Sequence, residues 1–153
     1  KINKILSENS LVENYKIIRK YPSTLDFQIK RTNFLAQITK NGKTFLVGSN
    51  GKLTQNNFIN HKLPYIFGNF EVEYFLNLKK IIDQSQFSFD EIKNFYFFPS
   101  KRWDIELKNN ILLKLPTDNL SNTIDYSIEF LNLEYSNEKK IIDLRIKNQI
   151  ITK

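Results

Sequence analysis

A chain of 153 residues with 41% hydrophobic and 14% aromatic side chains carries enough apolar material for a packed core, which excludes a wholly disordered polymer. With no cysteine, disulfides, thiolate metal sites and thiol nucleophiles are excluded, and the single histidine, His61, cannot make a zinc site alone. The net charge of +7 comes from basic residues scattered along a chain also rich in Asn, Ile and Phe, so it reads as composition rather than as a phosphate-binding patch.

In chain order, Ile2 to Glu8 reads as the tail of a helix. A hairpin follows: Tyr15 and Ile17 alternate with Lys16 and Ile18, Tyr21-Pro22-Ser23-Thr24 makes the turn, and Leu25, Phe27 and Ile29 line one face of the return strand. That period of two is the mark of a half-buried strand. Phe34 to Ile38 and Phe45 to Gly48 are two more strands joined through Asn41-Gly42, a strong hairpin turn. Gly48-Ser49-Asn50-Gly51 is a second turn, Gln55 to Lys62 is polar and loop-like, and Leu63 to Gly68 is an apolar segment closed by glycine.

Glu71 to Ser85 has the clearest helical period, with Asn69 as the expected cap and Val72, Phe75, Leu76, Leu78 and Ile82 on its apolar face. Strands are expected at Ile92 to Phe98, Trp103 to Leu107 and Ile111 to Leu115, the last two joined through Lys108-Asn109-Asn110. A second helix runs from about Asn119 to Glu134, capped by Asp118, with Leu120, Ile124, Ile128 and Leu131 as its stripe. Ile141 to Ile146 and Ile150 to Thr152 close the chain as a strand pair turning at Lys147-Asn148-Gln149. Hairpins imply mostly antiparallel pairing, hence an α+β fold.

The residues carry little chemistry. No phosphate-loop or dinucleotide motif occurs, and His61 has no nucleophile motif beside it, so it reads as a surface histidine. Asp104 and Glu106 lie on the polar side of a strand, where solvated charges are expected, and Asp90-Glu91 has no partner motif. Asn119-Leu120-Ser121 matches a glycosylation triplet that arises readily by chance. Phe95 to Phe98 could stack bases, but four adjacent aromatics more often make a strand buried on both faces. Trp103 is read as core and Arg102 as surface. At the C-terminus, Ile142, Leu144 and Ile146 share one face and Asp143 and Arg145 the other. Such a last strand is either a plain hairpin protected by its charges or a bare edge that templates another chain.

Two stretches taken together resemble a known family. Val12, Arg19, Tyr21-Pro22, Thr24-Leu25, Arg31 and Ala36 match the end of the POTRA domain in the FtsQ/DivIB family of bacterial cell-division proteins, with Phe34 where proline is common. Further on, Phe45-Leu46-Val47 with Gly51, Leu63 to Gly68, Arg102 to Leu107 with Ile111 to Leu115, and Ile142-Asp143-Leu144-Arg145 resemble successive motifs of that family's β domain.

The resemblance implies an α+β fold in which residues 1–37 are the C-terminal part of a POTRA domain and 38–153 a mostly antiparallel β domain with two packed helices. It implies a non-enzymatic scaffold of the division machinery with no cofactor, metal, nucleic acid or small-molecule substrate. It also implies a single-pass inner-membrane protein with this region in the periplasm and an anchor ahead of Lys1; a chain opening on Lys1 inside a POTRA domain is expected to be a fragment or processed product. The implied partners are of the FtsB and FtsL type, bound by strand addition at the closing edge. Arg145 matches the family arginine that meets an acidic partner side chain, Arg102 lies near a second basic position, and Ile146 stands where tyrosine is frequent. Lys147, Asn148, Gln149, Ile150, Ile151 and Thr152 are implied as the receiving edge. Two other readings remain: a POTRA-bearing adaptor of outer-membrane protein assembly, or a basic single-strand nucleic-acid binder.

Overall fold

The computed structural model describes residues 1–56, 62–133, 140–147 and 149–153. His61 and Asn148 fall outside the described residues, as do most of the expected polar loop and Glu134 at the end of the second helix. The chain divides into two compact units, Lys1–Leu63 and Pro64–Lys153. Together they hold the α+β composition expected.

In the first unit, α1 (Ile2–Glu8) leads into an antiparallel hairpin of β1 (Val12–Lys20) and β2 (Thr24–Arg31). A second antiparallel array, β3 (Phe34–Lys40), β4 (Lys43–Gly48) and β5 (Leu53–Asn56), follows. The β3–β4 turn is Asn41-Gly42, both at positive φ, as a tight two-residue hairpin requires. β5 begins where the sequence suggests only turn and loop. Its Thr54 and Gln55 lack apolar alternation, and ladder pairing with Leu46 and Phe45 makes the strand. Leu25, Phe27 and Ile29 alternate as expected, yet 41–50% of each is exposed, since a two-stranded hairpin buries little of either face.

A polar joint ties the hairpin to the β4–β5 turn within this unit. Glu13 sits at the β1 bulge, and its carboxylate accepts hydrogen bonds from Ser49 Oγ (2.6 Å) and Thr32 Oγ1 (3.0 Å). Asn50 Nδ2 donates to the Ser10 and Val12 carbonyls, both at 3.0 Å.

The second unit builds one sheet, in the order β6 (Tyr65–Phe67), β7 (Ile92–Phe97), β8 (Trp103–Leu107), β9 (Leu112–Lys114), β10 (Ile141–Asp143) and β11 (Ile151–Thr152). β6 is a strand where the sequence suggests an apolar segment. β6–β7 and β9–β10 pair in parallel, the other neighbours antiparallel. Each parallel pair is bridged by a helix, α2 (Val72–Gln84) and α3 (Leu120–Leu131), as a crossover requires.

α2 buries Phe75, Leu78 and Ile82 and sets the Phe75 ring edge-on to Phe95 at 5.4 Å. The core row of the sheet runs Ile66, Phe95, Ile105, Leu113 and Ile142 across five strands, each at most 2% exposed. The caps differ from expectation. α2 is capped by extended Glu71 rather than Asn69, and α3 by Asn119 at φ 54° rather than Asp118, neither through a side-chain bond to the helix backbone. Gly68 closes the β6 loop with φ 109°, where a Cβ would stand 2.2 Å from the Phe97 carbonyl oxygen.

Candidate functional site at the closing edge of the sheet

Alternation along each strand sends every second side chain away from the helices, so the second unit has an open face. One register row on it runs Phe67, Tyr96, Asp104, Lys114, Asp143 and Ile151. Phe67 stacks on Tyr96 at 5.2 Å, so the aromatic run of β7 is not buried on both faces. Phe95 enters the core while Tyr96 faces outward and remains half-buried.

Beside this row Glu106 accepts hydrogen bonds from Tyr96 OH (2.6 Å), Asn94 Nδ2 (2.8 Å) and Lys93 Nζ (2.9 Å). Burial works to raise its pKa, but those donors prevail and hold it at about 2, while burial and the Glu106 bond push the Tyr96 phenol up to about 12.

Asp104 corrects the expectation of a solvated carboxylate, for it is only 3% exposed. Arg102, two residues earlier on the same face, donates from Nε at 3.1 Å and from Nη2 at 3.5 Å, and stacks over the Phe98 ring at 4.1 Å. Burial raises the Asp104 pKa against the pull of Arg102, Lys114 and Arg145. Two strands on, Asp143 takes Arg145 through Nε at 2.8 Å, Nη2 at 2.5 Å and the backbone N–H at 3.1 Å. Those bonds lower the Asp143 pKa and raise that of Arg145.

The closing strands are shorter than the alternation suggests. β10 stops at Asp143, although Leu144 still donates its N–H to the Lys114 carbonyl at 2.9 Å and is buried. Ile146 does not share the face of Ile142 and Leu144. The chain has turned by then, Gln149 N–H bonding the Ile146 carbonyl at 3.1 Å, and Ile146 is 50% exposed.

β11 lies at the sheet edge, with Ile151 and Thr152 as its residues and Ile150 just ahead of it. Lys153 and Ile141 exchange both backbone hydrogen bonds at 3.1 Å. Thr152 is therefore in the non-bonded position opposite Ile142, and its N–H and C=O point away from β10. Among the described residues no strand pairs with that outer side.

Between the first turns of α3 and the segment after β10 runs a groove of about 650 Å³, walled by Asn119, Asn122, Thr123 and Tyr126 on one side and by Leu144, Arg145, Ile146, Lys147 and Gln149 on the other. The fold thus gathers Arg145, Ile146, Lys147 and Gln149 at the groove and Ile150, Ile151 and Thr152 at the edge beside it. Arg102 stands apart, reaching Arg145 only through the row of charges across β8, β9 and β10. Of the residues that complete that row, Asp104 and Asp143 were read from sequence only as charges on the polar side of their strands, and Lys114 was not singled out. The signal was present in part, since Lys114 between buried Leu113 and Leu115 must face outward. Among the described residues no cluster of acidic or histidine side chains could hold a metal ion, and no helix is long and apolar enough to cross a membrane.

Residues 35–145 match the family model described as the C-terminal region of cell division protein FtsQ/DivIB. A solved structure with the same fold is the major extracytoplasmic domain of the trans isomer of the bacterial cell division protein DivIB from Geobacillus stearothermophilus. The alignment has a TM-score of 0.50 and 8% identity, covering 69% of this chain and 99% of that one. No curated protein matches the chain.

Proposed function

The chain belongs to the FtsQ/DivIB family of cell-division proteins, and from that premise we propose that it is a non-catalytic scaffold that receives a partner strand on β11. The observation carrying this reading is the outward N–H and C=O of Thr152 at the edge of a six-strand array. The partner on this reading is a division protein of the FtsB type, itself paired with one of the FtsL type. Main-chain bonds to β11 supply affinity at about 1 kcal/mol net each. Arg145 selects an acidic side chain, and the groove beside α3 takes an apolar one. Arg102, Ile146, Lys147, Gln149, Ile150 and Ile151 complete the surface. The domain works outside the cytoplasm, with residues 1–37 ending a POTRA domain and 38–153 forming the β domain.

Thr152→Pro separates this reading from a plain terminal hairpin. The Thr152 N–H is not used within the sheet, so proline removes only the outward donor and is tolerated at an edge. Calorimetry with a synthetic peptide of the extracytoplasmic tail of the FtsB-type protein from the same genome is expected to show binding weakened by about tenfold or more, with thermal stability unchanged. Equal affinity of Thr152→Pro and the unaltered protein would remove the edge from the reading.

A further inference from the structure

The open face carries more charge than the docking edge uses. Arg102, Asp104, Lys114, Asp143 and Arg145 form one row across three strands, three cations against two carboxylates. Each carboxylate is committed to an arginine: Asp104 to Arg102, and Asp143 to Arg145 by two side-chain bonds. Lys114 lies between them in register, opposite Asp104 on β8 and Asp143 on β10; both carboxylates feel its charge, yet among the described residues it has no ion pair within 4.0 Å. Its half-buried position on β9 fixes the stem between two strands and leaves the ammonium on the open face. The row is therefore one negative charge short of balance, and its centre is a single cation.

We propose that Lys114 is a second selecting cation, beside Arg145, for a further acidic side chain of the docked segment, taken up as that segment passes from the β11 edge across the open sheet face. This rests on the docking reading above, and it deepens that reading by adding a residue and a direction of approach. An incoming carboxylate brings the row to three charges of each sign. Its place between two carboxylates that are each hydrogen-bonded by an arginine gives the site selectivity. A neutral side chain leaves the row one negative charge short, and a basic one meets three cations. Asp104 and Asp143 act as positioning residues, holding the flanking guanidinium groups away from Lys114 so that its ammonium remains the open donor.

The test uses the same peptide and calorimetry. Lys114→Gln is expected to weaken binding about threefold and flatten its salt dependence, and Lys114→Glu to weaken it about tenfold or more. Replacing the peptide's acidic residues by lysine one at a time should locate one that restores affinity to Lys114→Glu and lowers it for the unaltered protein, a reversal that a merely structural role would not produce. Circular dichroism identifies any variant that has lost its fold, and Lys114→Gln carries the test if Lys114→Glu is one. If Thr152→Pro weakens binding while both Lys114 variants bind like the unaltered protein, the inference about Lys114 is overturned and the edge reading stands. If the unaltered protein does not bind the peptide, both are overturned.

Discussion

At the residue scale, the open face contains two carboxylates with opposite pH behaviour. The Glu106 pKa is depressed to about 2 from an ordinary 4.5, so its stabilising effect is fully present above 4.5 and is lost as pH falls from there towards about 2. Asp104 behaves in the other sense. Its raised pKa means that the charged form is disfavoured by folding, and protonation as pH falls through that raised value towards 3.8 relieves the cost. Glu106→Gln is expected to lose about 1–3 kcal/mol at neutral pH, because three donors give up a charged acceptor. Its deficit should shrink in acid, whereas Asp104→Asn should lose the acid-side gain seen in the unaltered protein. Denaturant melts from neutral pH down to about 2 measure both, and a Glu106→Gln deficit independent of pH would contradict the assignment.

At the scale of elements, glycines that look alike in sequence separate by what surrounds them. Gly42 and Gly68 both sit at positive φ. A Cβ at Gly42 meets nothing within 4 Å, whereas one at Gly68 would stand 2.2 Å from a backbone oxygen of Phe97. Gly42→Ala is therefore expected to cost about 1 kcal/mol from backbone strain alone, and Gly68→Ala at least about 2–3 kcal/mol through displacement of the loop that joins β6 to α2. Thermal melts of the two variants compare them directly. The glycine that ends the Leu63 to Gly68 resemblance thus has a steric cause in this chain. The helices tell a similar story: α2 was legible because Phe75, Leu78 and Ile82 recur at helical spacing, but neither cap was, since the side chain of neither capping residue bonds the helix backbone.

At the scale of the whole molecule, each unit has its own cohesion. The first depends on the polar joint around Glu13, where one carboxylate, two hydroxyls and an amide connect the β1–β2 hairpin to the β4–β5 turn. Thr32, at the centre, is 8% exposed, so the joint is shielded from water and its bonds count for more than surface ones. Glu13→Ala is expected to speed amide exchange at Thr32, Asn33 and Ser49, which bond across the joint, and to leave exchange in β8 and β9 unchanged. Hydrogen exchange read residue by residue checks this, and equal protection at Thr32 in both proteins would contradict it. The second unit depends on the core row from Ile66 to Ile142, which a helical crossover can bring together but a single hairpin cannot.

The chain by itself determined the local alternations, because side-chain direction in a strand or helix depends on spacing within a few residues. Trp103 and Ile105 turned inward, Phe75 and Ile82 fell on one helix face, and Asn41-Gly42 closed a hairpin, all as their neighbours dictate. Only the tertiary structure decided what lies beside what across the sheet. Asp104, Lys114 and Asp143 are brought into one row by pairings in which β9 and β10 are separated by a whole helix, and no local pattern encodes that register. The burial of Asp104 and the exposure of Leu25, Phe27 and Ile29 depend on what long-range pairing brings beside them, whereas the outward turn of Ile146 follows from the local bond of Gln149 N–H to its carbonyl.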